Sequence, residues 1–216
     1  MDFKFSADDE IFRNEFRTWL TENIPGDWRN EDELSDPDST EEFERRRAWH
    51  RTLYAGGWMC IHWPREYGGR GASLIQQVIY NEELERAKAP PTVNFQGIAR
   101  VGPTLMQWGS PEQKQRFIPR IPGAEEIWCQ GLSEPDHGSD LAAVATRAVD
   151  NGDHFLVSGS KVWTSNAHRA DFTTLLCRTD PSAPKHKGLS YLLVDMKSPG
   201  VTVRPLVQMT GESGFN

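Results

Sequence analysis

The side chains best suited to chemistry lie in one short segment, WCQGLSEPDHGSD, at positions 128–140. It places a hydroxyl and a carboxylate together at Ser133 and Glu134, shortly before the triplet Gly138-Ser139-Asp140. Hydroxyls and backbone N–H groups next to a glycine can hold an anionic ligand. Clusters of Ser, Pro, Asp and Gly also form ordinary polar turns that bind nothing. The segment is therefore either a turn after a strand or a loop shaped around part of a ligand.

The composition argues against several classes of protein. The 216 residues are 37% hydrophobic and 25% charged, as is typical of a soluble globular chain with a substantial core. The net charge of -7 argues against a nucleic-acid partner, because phosphate binding needs a basic face. No stretch approaches the ~18 apolar residues of a membrane span. The N-terminus, MDFKFSADDEIF, resembles neither a secretory signal nor a transit peptide. We therefore expect a cytoplasmic protein with no nucleic-acid partner and no membrane span.

The spacing of cysteines and histidines argues against a metal site and against a disulfide framework. Cys60, Cys129 and Cys177 lie far apart, and the six histidines form no HExxH or H-x3-H pattern. We expect free thiols in a reducing compartment and no bound metal.

Helical patterns occupy roughly the first 120 residues. Ser6 can cap the first helix, in which apolar residues recur at spacings of three and four. Ser110 followed by Pro111 and Gln113 is a strong start signal for the last one, with a serine cap, a proline in the first turn and a capping-box partner. The predicted helices cover residues 6–23, 41–55, 74–87, 93–108 and 110–119, with a polar loop over 29–39.

Strand patterns occupy the rest of the chain. Asn151-Gly152 predicts a tight hairpin turn, because such turns favour residues that adopt positive φ. The predicted strands cover residues 127–132, 155–157, 161–163, 172–177, 189–196 and 201–207. The predicted fold class is α+β: an N-terminal all-α helical bundle, residues 1–122, followed by a β-barrel-like domain, residues 123–216.

Four segments together resemble the acyl-CoA dehydrogenase family: WPREYGGRGAS, LSEPDHGSD, VSGSKVWTSNAHRADF and KGLSYLLVDMKSPGVTVRPL. They occur in the family's order, and the resemblance covers essentially the whole chain as the N-terminal helical and middle β domains. It implies an FAD-dependent oxidoreductase of fatty acid and lipid metabolism. Such an enzyme introduces a Cα–Cβ double bond into an acyl-CoA thioester and passes the electrons to an electron-transfer flavoprotein. The resemblance also implies an oligomer, either a homotetramer or a hetero-oligomer.

The resemblance assigns roles to residues of both candidate segments. It places Gln130, Leu132 and Ser133 against the flavin ring, where hydrogen bonds stabilise charge on the reduced ring. It places Ser139 at the FAD diphosphate and near the acyl-CoA substrate. In the second segment it implies FAD contacts from Trp163, Thr164 and Ser165.

Several neighbouring residues receive other roles or none. Two carboxylates near a redox centre suggest acid–base chemistry, but the resemblance gives Glu134 and Asp140 structural roles in the loop. His137 replaces the small residue usual in the family, either as a bystander or as a contact to a phosphate. The basic segment 185–187 (Lys-His-Lys) is either a solvated loop or a contact to the nucleotide end of CoA.

The family's catalytic base is a glutamate on a helical domain that follows the β domain. The chain ends at Asn216, before any such domain, so no residue here receives that role and we expect a fragment of a longer polypeptide. Two alternatives to a dehydrogenase stay open. One is an acyl-CoA oxidase or flavin monooxygenase on the same fold, and the other is a non-catalytic subunit of a hetero-oligomeric dehydrogenase.

Overall fold

The computed structural model describes residues 5–26, 28 and 39–216. The loop predicted over 29–39 therefore lies outside the described residues, except for Ser39. The chain divides into two compact units. One contains the described residues up to Ile98 together with Gly102–Glu125, and the other contains Ala99–Val101 and Glu126–Asn216.

The first unit is helical, and serine side chains begin most of its helices. Ser6, Ser73 and Ser110 each accept a hydrogen bond from the backbone N–H three residues ahead, and each has a reciprocal capping-box bond. Ser39 caps its helix with a single such bond. The helices are α1 (Ala7–Asn23), α2 (Thr40–Ala55), α3 (Leu74–Arg86), α4 (Gly102–Trp108) and α5 (Pro111–Phe117). The helices predicted from local patterns are thus confirmed, although the fourth is a π-helical turn, Gly97–Val101, followed by the short α4.

An aromatic cluster forms the centre of the helical unit. The ring of Phe16 on α1 lies 4.4 Å from that of Trp58 and 4.6 Å from that of Tyr80 on α3. Trp49 on α2 is also fully buried, and the ring of Trp19 lies 6.0 Å from it. Buried rings of this size dominate the apolar area that holds three helices together.

The second unit is a five-stranded mixed sheet built around its longest internal strand. Its strands are β1 (Trp128–Gly131), β2 (Arg147–Asp150), β3 (Phe155–Ser158), β4 (Phe172–Arg178) and β5 (Leu189–Asp195). β5 runs antiparallel along the whole of β4, while β1 and then β2 pair in parallel with successive parts of the other edge. β2 and β3 form the predicted hairpin, in which Gly152 has a φ of 96°. The α+β class is confirmed, and the described strands form a sheet that does not close into a barrel.

Two predicted strands are wrong, and one real strand has no counterpart among the predictions. Residues 161–163 form no ladder because Trp163 has a φ of 61°, which an extended strand does not allow. Residues 201–207 form only a single bridge, between Leu206 and Phe215. The strand outside the predicted ranges is β2, with the sequence Arg-Ala-Val-Asp, in which two apolar residues lie between two charged ones and no alternating pattern is present.

Candidate functional site

The two candidate segments lie side by side. Where β1 ends, the carbonyl of Ser133 accepts a hydrogen bond of 2.9 Å from the N–H of Val162. One residue earlier, the carbonyl of Leu132 accepts a bond of 2.9 Å from Nζ of Lys161. Segments that are about thirty positions apart in sequence are therefore joined through their backbones at this point of the fold.

Glu134 holds this junction together. Its carboxylate accepts hydrogen bonds from the N–H groups of Ala145 (2.6 Å) and Thr146 (2.8 Å) and forms an ion pair of 2.9 Å with Lys161. Burial alone would raise the pKa of Glu134, but hydrogen bonding from Thr146, Ala145 and Lys161 outweighs it and lowers that pKa to about 2. Glu134 is therefore ionised at neutral pH, and its oxygens are occupied by structural contacts.

Trp163 stands out by its backbone and its exposure. It adopts a φ of 61° and leaves 59% of its surface exposed, and its ring meets that of Phe215 edge-on at 5.8 Å. The next residue, Thr164, exchanges two backbone hydrogen bonds of 3.0 Å with Asn216, and Ser165 forms a bridge with Phe215. Thr164 is buried, so the segment presents the indole of Trp163 on a fixed backbone.

The side chain of Gln130 is engaged within the sheet. Its Nε2 donates to the hydroxyl of Tyr191 at 2.7 Å, and that hydroxyl donates to Oγ1 of Thr174 at 2.7 Å. One donor of the Gln130 side-chain amide is therefore committed to a contact within the sheet.

Ser139 lies on the exposed turn that follows. Glu134 and His137 exchange two backbone hydrogen bonds, of 2.9 and 3.1 Å, which close the turn. Beyond it, Asp140 forms an ion pair of 2.5 Å with Lys185, and this bond lowers the pKa of Asp140. The contacts that fix Ser139 are thus separate from those that join Ser133 to Val162.

The two segments offer hydrogen-bond donors and an exposed aromatic face. Within the described part of the chain, neither the N–H nor the hydroxyl of Ser133 donates a hydrogen bond, so both are available to a ligand. An exposed indole follows in the adjacent segment, where Ser165 supplies a second hydroxyl. Aromatic faces beside oriented donors suit a conjugated ligand that carries negative charge.

Sequence reasoning missed Lys161 as a member of the site. Its side chain is 10% exposed, and its stem passes Gly131, where a Cβ would come within 3.3 Å of the lysine Cγ. The sequence pattern here is a lysine two residues before a tryptophan and a glycine at the end of an earlier strand. This pattern is too common to predict that Lys161 contacts Leu132 and Glu134.

Two family models match most of the chain between them. The model described as "Acyl-CoA dehydrogenase, N-terminal domain" matches residues 6–125, and "Acyl-CoA dehydrogenase, middle domain" matches residues 129–216. Among curated proteins, the chain is 48% identical over 210 residues to "Acyl-CoA dehydrogenase IpdE1" of Mycobacterium tuberculosis, covering 97% of this chain and 54% of that protein.

Two solved structures share the fold. The "Tcur3481-Tcur3483 steroid ACAD" is 37% identical with a TM-score of 0.80, covering 98% of this chain and 53% of that one. The "ChsE4-ChsE5 complex from Mycobacterium tuberculosis" is 34% identical with a TM-score of 0.79, covering 100% of this chain and 53% of that one. The chain thus spans about half the length of these relatives.

Proposed function

Because the chain belongs to the acyl-CoA dehydrogenase family, we propose that it supplies the N-terminal and middle domains of an enzyme that oxidises the Cα–Cβ bond of an acyl-CoA thioester. Residues 1–122 would be the helical domain and residues 123–216 the β domain. Enzymes of this family use FAD. Electrons would pass from the flavin to an electron-transfer flavoprotein.

The bond between Val162 and Ser133 is the observation that carries the proposal, because it joins the two segments that the family resemblance assigns to one cofactor. Bound FAD would supply the hydride acceptor that protein side chains lack. The residues of the chain would hold and polarise it: Ser133 by its N–H and hydroxyl at the polar edge of the ring, Trp163 and Ser165 from the neighbouring segment. Donors fixed in advance at that edge favour the negative charge of the reduced ring.

Ser139 would act at the other end of the same cofactor. Its turn is exposed and is closed by bonds other than the one between Ser133 and Val162, which is compatible with a contact to the diphosphate and to the acyl-CoA substrate. The charge of a diphosphate is the same in both redox states, so Ser139 would set affinity and Ser133 the reduction potential.

We propose that a group outside these 216 residues takes the α-proton. Glu134 is the carboxylate at the junction, but its pKa of about 2 and its three structural partners leave it no capacity to act as a base. A relative solved as a complex supports a second, homologous chain as the partner. A relative named a steroid ACAD makes a bulky ring-bearing acyl group a candidate substrate alongside straight chains.

Anaerobic titration of the full-length protein with acyl-CoA tests the proposal. Bleaching of the flavin absorbance, followed by fast reoxidation with an electron-transfer flavoprotein and slow reoxidation with oxygen, is the expected result. Fast reoxidation with oxygen would instead identify an oxidase or monooxygenase. Absence of bleaching with and without the homologous partner chain would refute the proposal, and bleaching only in the partner's presence would identify a subunit that completes another chain's site.

Replacing Trp163 gives a residue-level test of the same site. Trp163→Ala should lower flavin retention during purification, whereas Trp163→Phe, which keeps an aromatic face, should retain most of it. Unchanged flavin content and spectrum in the alanine variant would show that the indole does not contact the cofactor.

A further inference from the structure

We infer that Lys161 is a positioning residue that raises the reduction potential of the bound flavin by polarising the peptide group between Leu132 and Ser133. The inference rests on the proposed function, because it takes the N–H of Ser133 as a donor to the flavin ring. It concerns the charge of Lys161, which acts through the backbone without touching the cofactor.

The geometry places a cation on one end of the peptide group whose other end faces the ligand. Nζ of Lys161 donates to the carbonyl of Leu132 at 2.9 Å, and that carbonyl belongs to the same peptide unit as the N–H of Ser133. A charged donor on a carbonyl withdraws electron density from the attached N–H and strengthens it as a donor. The effect is larger here than at a surface, since the lysine side chain is 10% exposed.

The other carbonyl beside this donor is also engaged. The carbonyl of Ser133 accepts from the N–H of Val162, next in sequence to the lysine. Lys161 and Val162 therefore donate hydrogen bonds to the carbonyls of two successive peptide groups. These two bonds fix the orientation of the Ser133 backbone, and both come from the segment that carries Trp163. Gly131 makes this possible because any side chain there would crowd the lysine stem and, at 3.0 Å, Cδ1 of Leu175.

Glu134 limits the effect of the lysine charge. Its carboxylate lies 2.9 Å from Nζ, and its own exposure is 6%. Burial lowers the pKa of Lys161, and the bond to Glu134 opposes that change without reversing it. Nζ donates to both the Leu132 carbonyl and the Glu134 carboxylate, which is the geometry of an ammonium ion pair. The pair thus provides a cation whose field at the junction is partly cancelled, and the two members act on the reduced ring with opposite signs.

The test measures the reduction potential of the flavin in the full-length protein, without acyl-CoA. Lys161→Met keeps the length of the stem but removes the charge and the donor, so the potential should shift to a more negative value. Glu134→Gln removes the opposing charge, so the potential should shift to a more positive value. Lys161→Arg should restore a potential close to that of the wild type. Lys185→Met is the matched control, because Lys185 also pairs with a carboxylate, Asp140, but is 48% exposed, and it should leave the potential unchanged.

Opposite signs separate this inference from a purely structural role of the pair. If Lys161→Met and Glu134→Gln both weaken FAD binding and leave the potential of the remaining holoenzyme unchanged, the pair is structural and the inference is wrong. If Lys161→Met retains no flavin, Lys161→Gln removes the charge while keeping a polar side chain, and a wild-type potential in that variant overturns the inference. A wild-type protein that binds no FAD refutes the proposed function itself, whereas normal reduction by acyl-CoA with unshifted potentials refutes only the role of Lys161.

Discussion

Replacing Glu83 should cost far more stability than replacing its neighbour Glu82, although both contact the same arginine. Glu83 lies on α3 with 1% of its side chain exposed, and it accepts hydrogen bonds from Arg13 (2.9 Å) and twice from Arg17 (2.8 Å each) on α1. Glu82 also pairs with Arg13 at 2.9 Å, but its side chain is 48% exposed. The two carboxylates therefore differ in burial and in the number of arginine hydrogen bonds that they accept.

The magnitudes follow from that difference. Removing one partner of a buried ion pair costs about 3–5 kcal/mol, because the remaining charge is left desolvated. In Glu83→Gln, Arg13 stays 8% exposed and keeps only its pairs with the partly exposed Glu82 and Glu10, while Arg17, at 43%, can return to water. We therefore expect the lower limit, about 3 kcal/mol, for Glu83→Gln and about 0.5 kcal/mol for Glu82→Gln.

Urea unfolding followed by tryptophan fluorescence measures both losses, since Trp19 on α1 and Trp58 report on this unit. The dependence on pH gives a second measure. The hydrogen bond from Arg17, and then that from Arg13, lowers the pKa of Glu83 from 4.5 to about 2, against the effect of burial. A depressed carboxyl pKa stabilises the fold above pH 4.5, and the contribution is lost as the pH falls towards 2. Glu83→Gln should therefore weaken the acid dependence in that window. Equal losses in the two variants would refute the reasoning.

Two further predictions concern a buried histidine and a close backbone approach. Burial lowers the pKa of His50 from 6.5 to about 4. As the pH drops, the histidine of the unfolded chain is therefore protonated before that of the folded chain. The free energy of unfolding should fall by about 3 kcal/mol in total between pH 6.5 and pH 4. In urea unfolding measured across this pH range, His50→Gln should remove the pH dependence, whereas replacement of the exposed His154 by Gln should leave it unchanged. Identical plots of unfolding free energy against pH for the two variants would contradict the assignment of this dependence to His50. Gly159→Ala should cost about 1–3 kcal/mol because a Cβ there would lie 2.7 Å from Cα of Thr146. Gly138→Ala, which meets nothing within 4 Å, should be close to neutral in thermal unfolding, and equal melting temperatures would contradict the packing argument.

The parts of the fold that the sequence predicts are those set by local chemistry. Ser6 and Ser110 begin their helices as predicted, because a capping box is complete within four residues. The strand predicted over 201–207 fails for the opposite reason. A strand needs a partner far away in sequence, and alternating apolar residues do not show whether one is present. Leu206 finds only a single bridge.

The contacts within the candidate site are non-local for the same reason. Lys161 and Glu134 are separated by 27 positions in a chain with 24 basic and 31 acidic residues, so no spacing rule could pair them. The motif positions 133 and 163–165 could be assigned from the resemblance because it matches whole segments. The charge that orients those segments could be found only from distances.

The backbone of Trp163 gives an argument for function that does not depend on the resemblance. A non-glycine residue in the left-handed region costs about 1–2 kcal/mol, and an aromatic residue that stays mostly exposed recovers only part of the free energy that full burial would provide. Trp163 has both features, with a φ of 61° and an exposure of 59%. The paired backbone bonds between Thr164 and Asn216 and the bond from Asn166 to Gly214 hold the segment in this conformation. Strain of this kind persists where the surrounding structure fixes it, and it concentrates at ligand sites. The fold thus holds the indole of Trp163 outwards on the segment that is bonded to Ser133, as the proposed flavin contact requires.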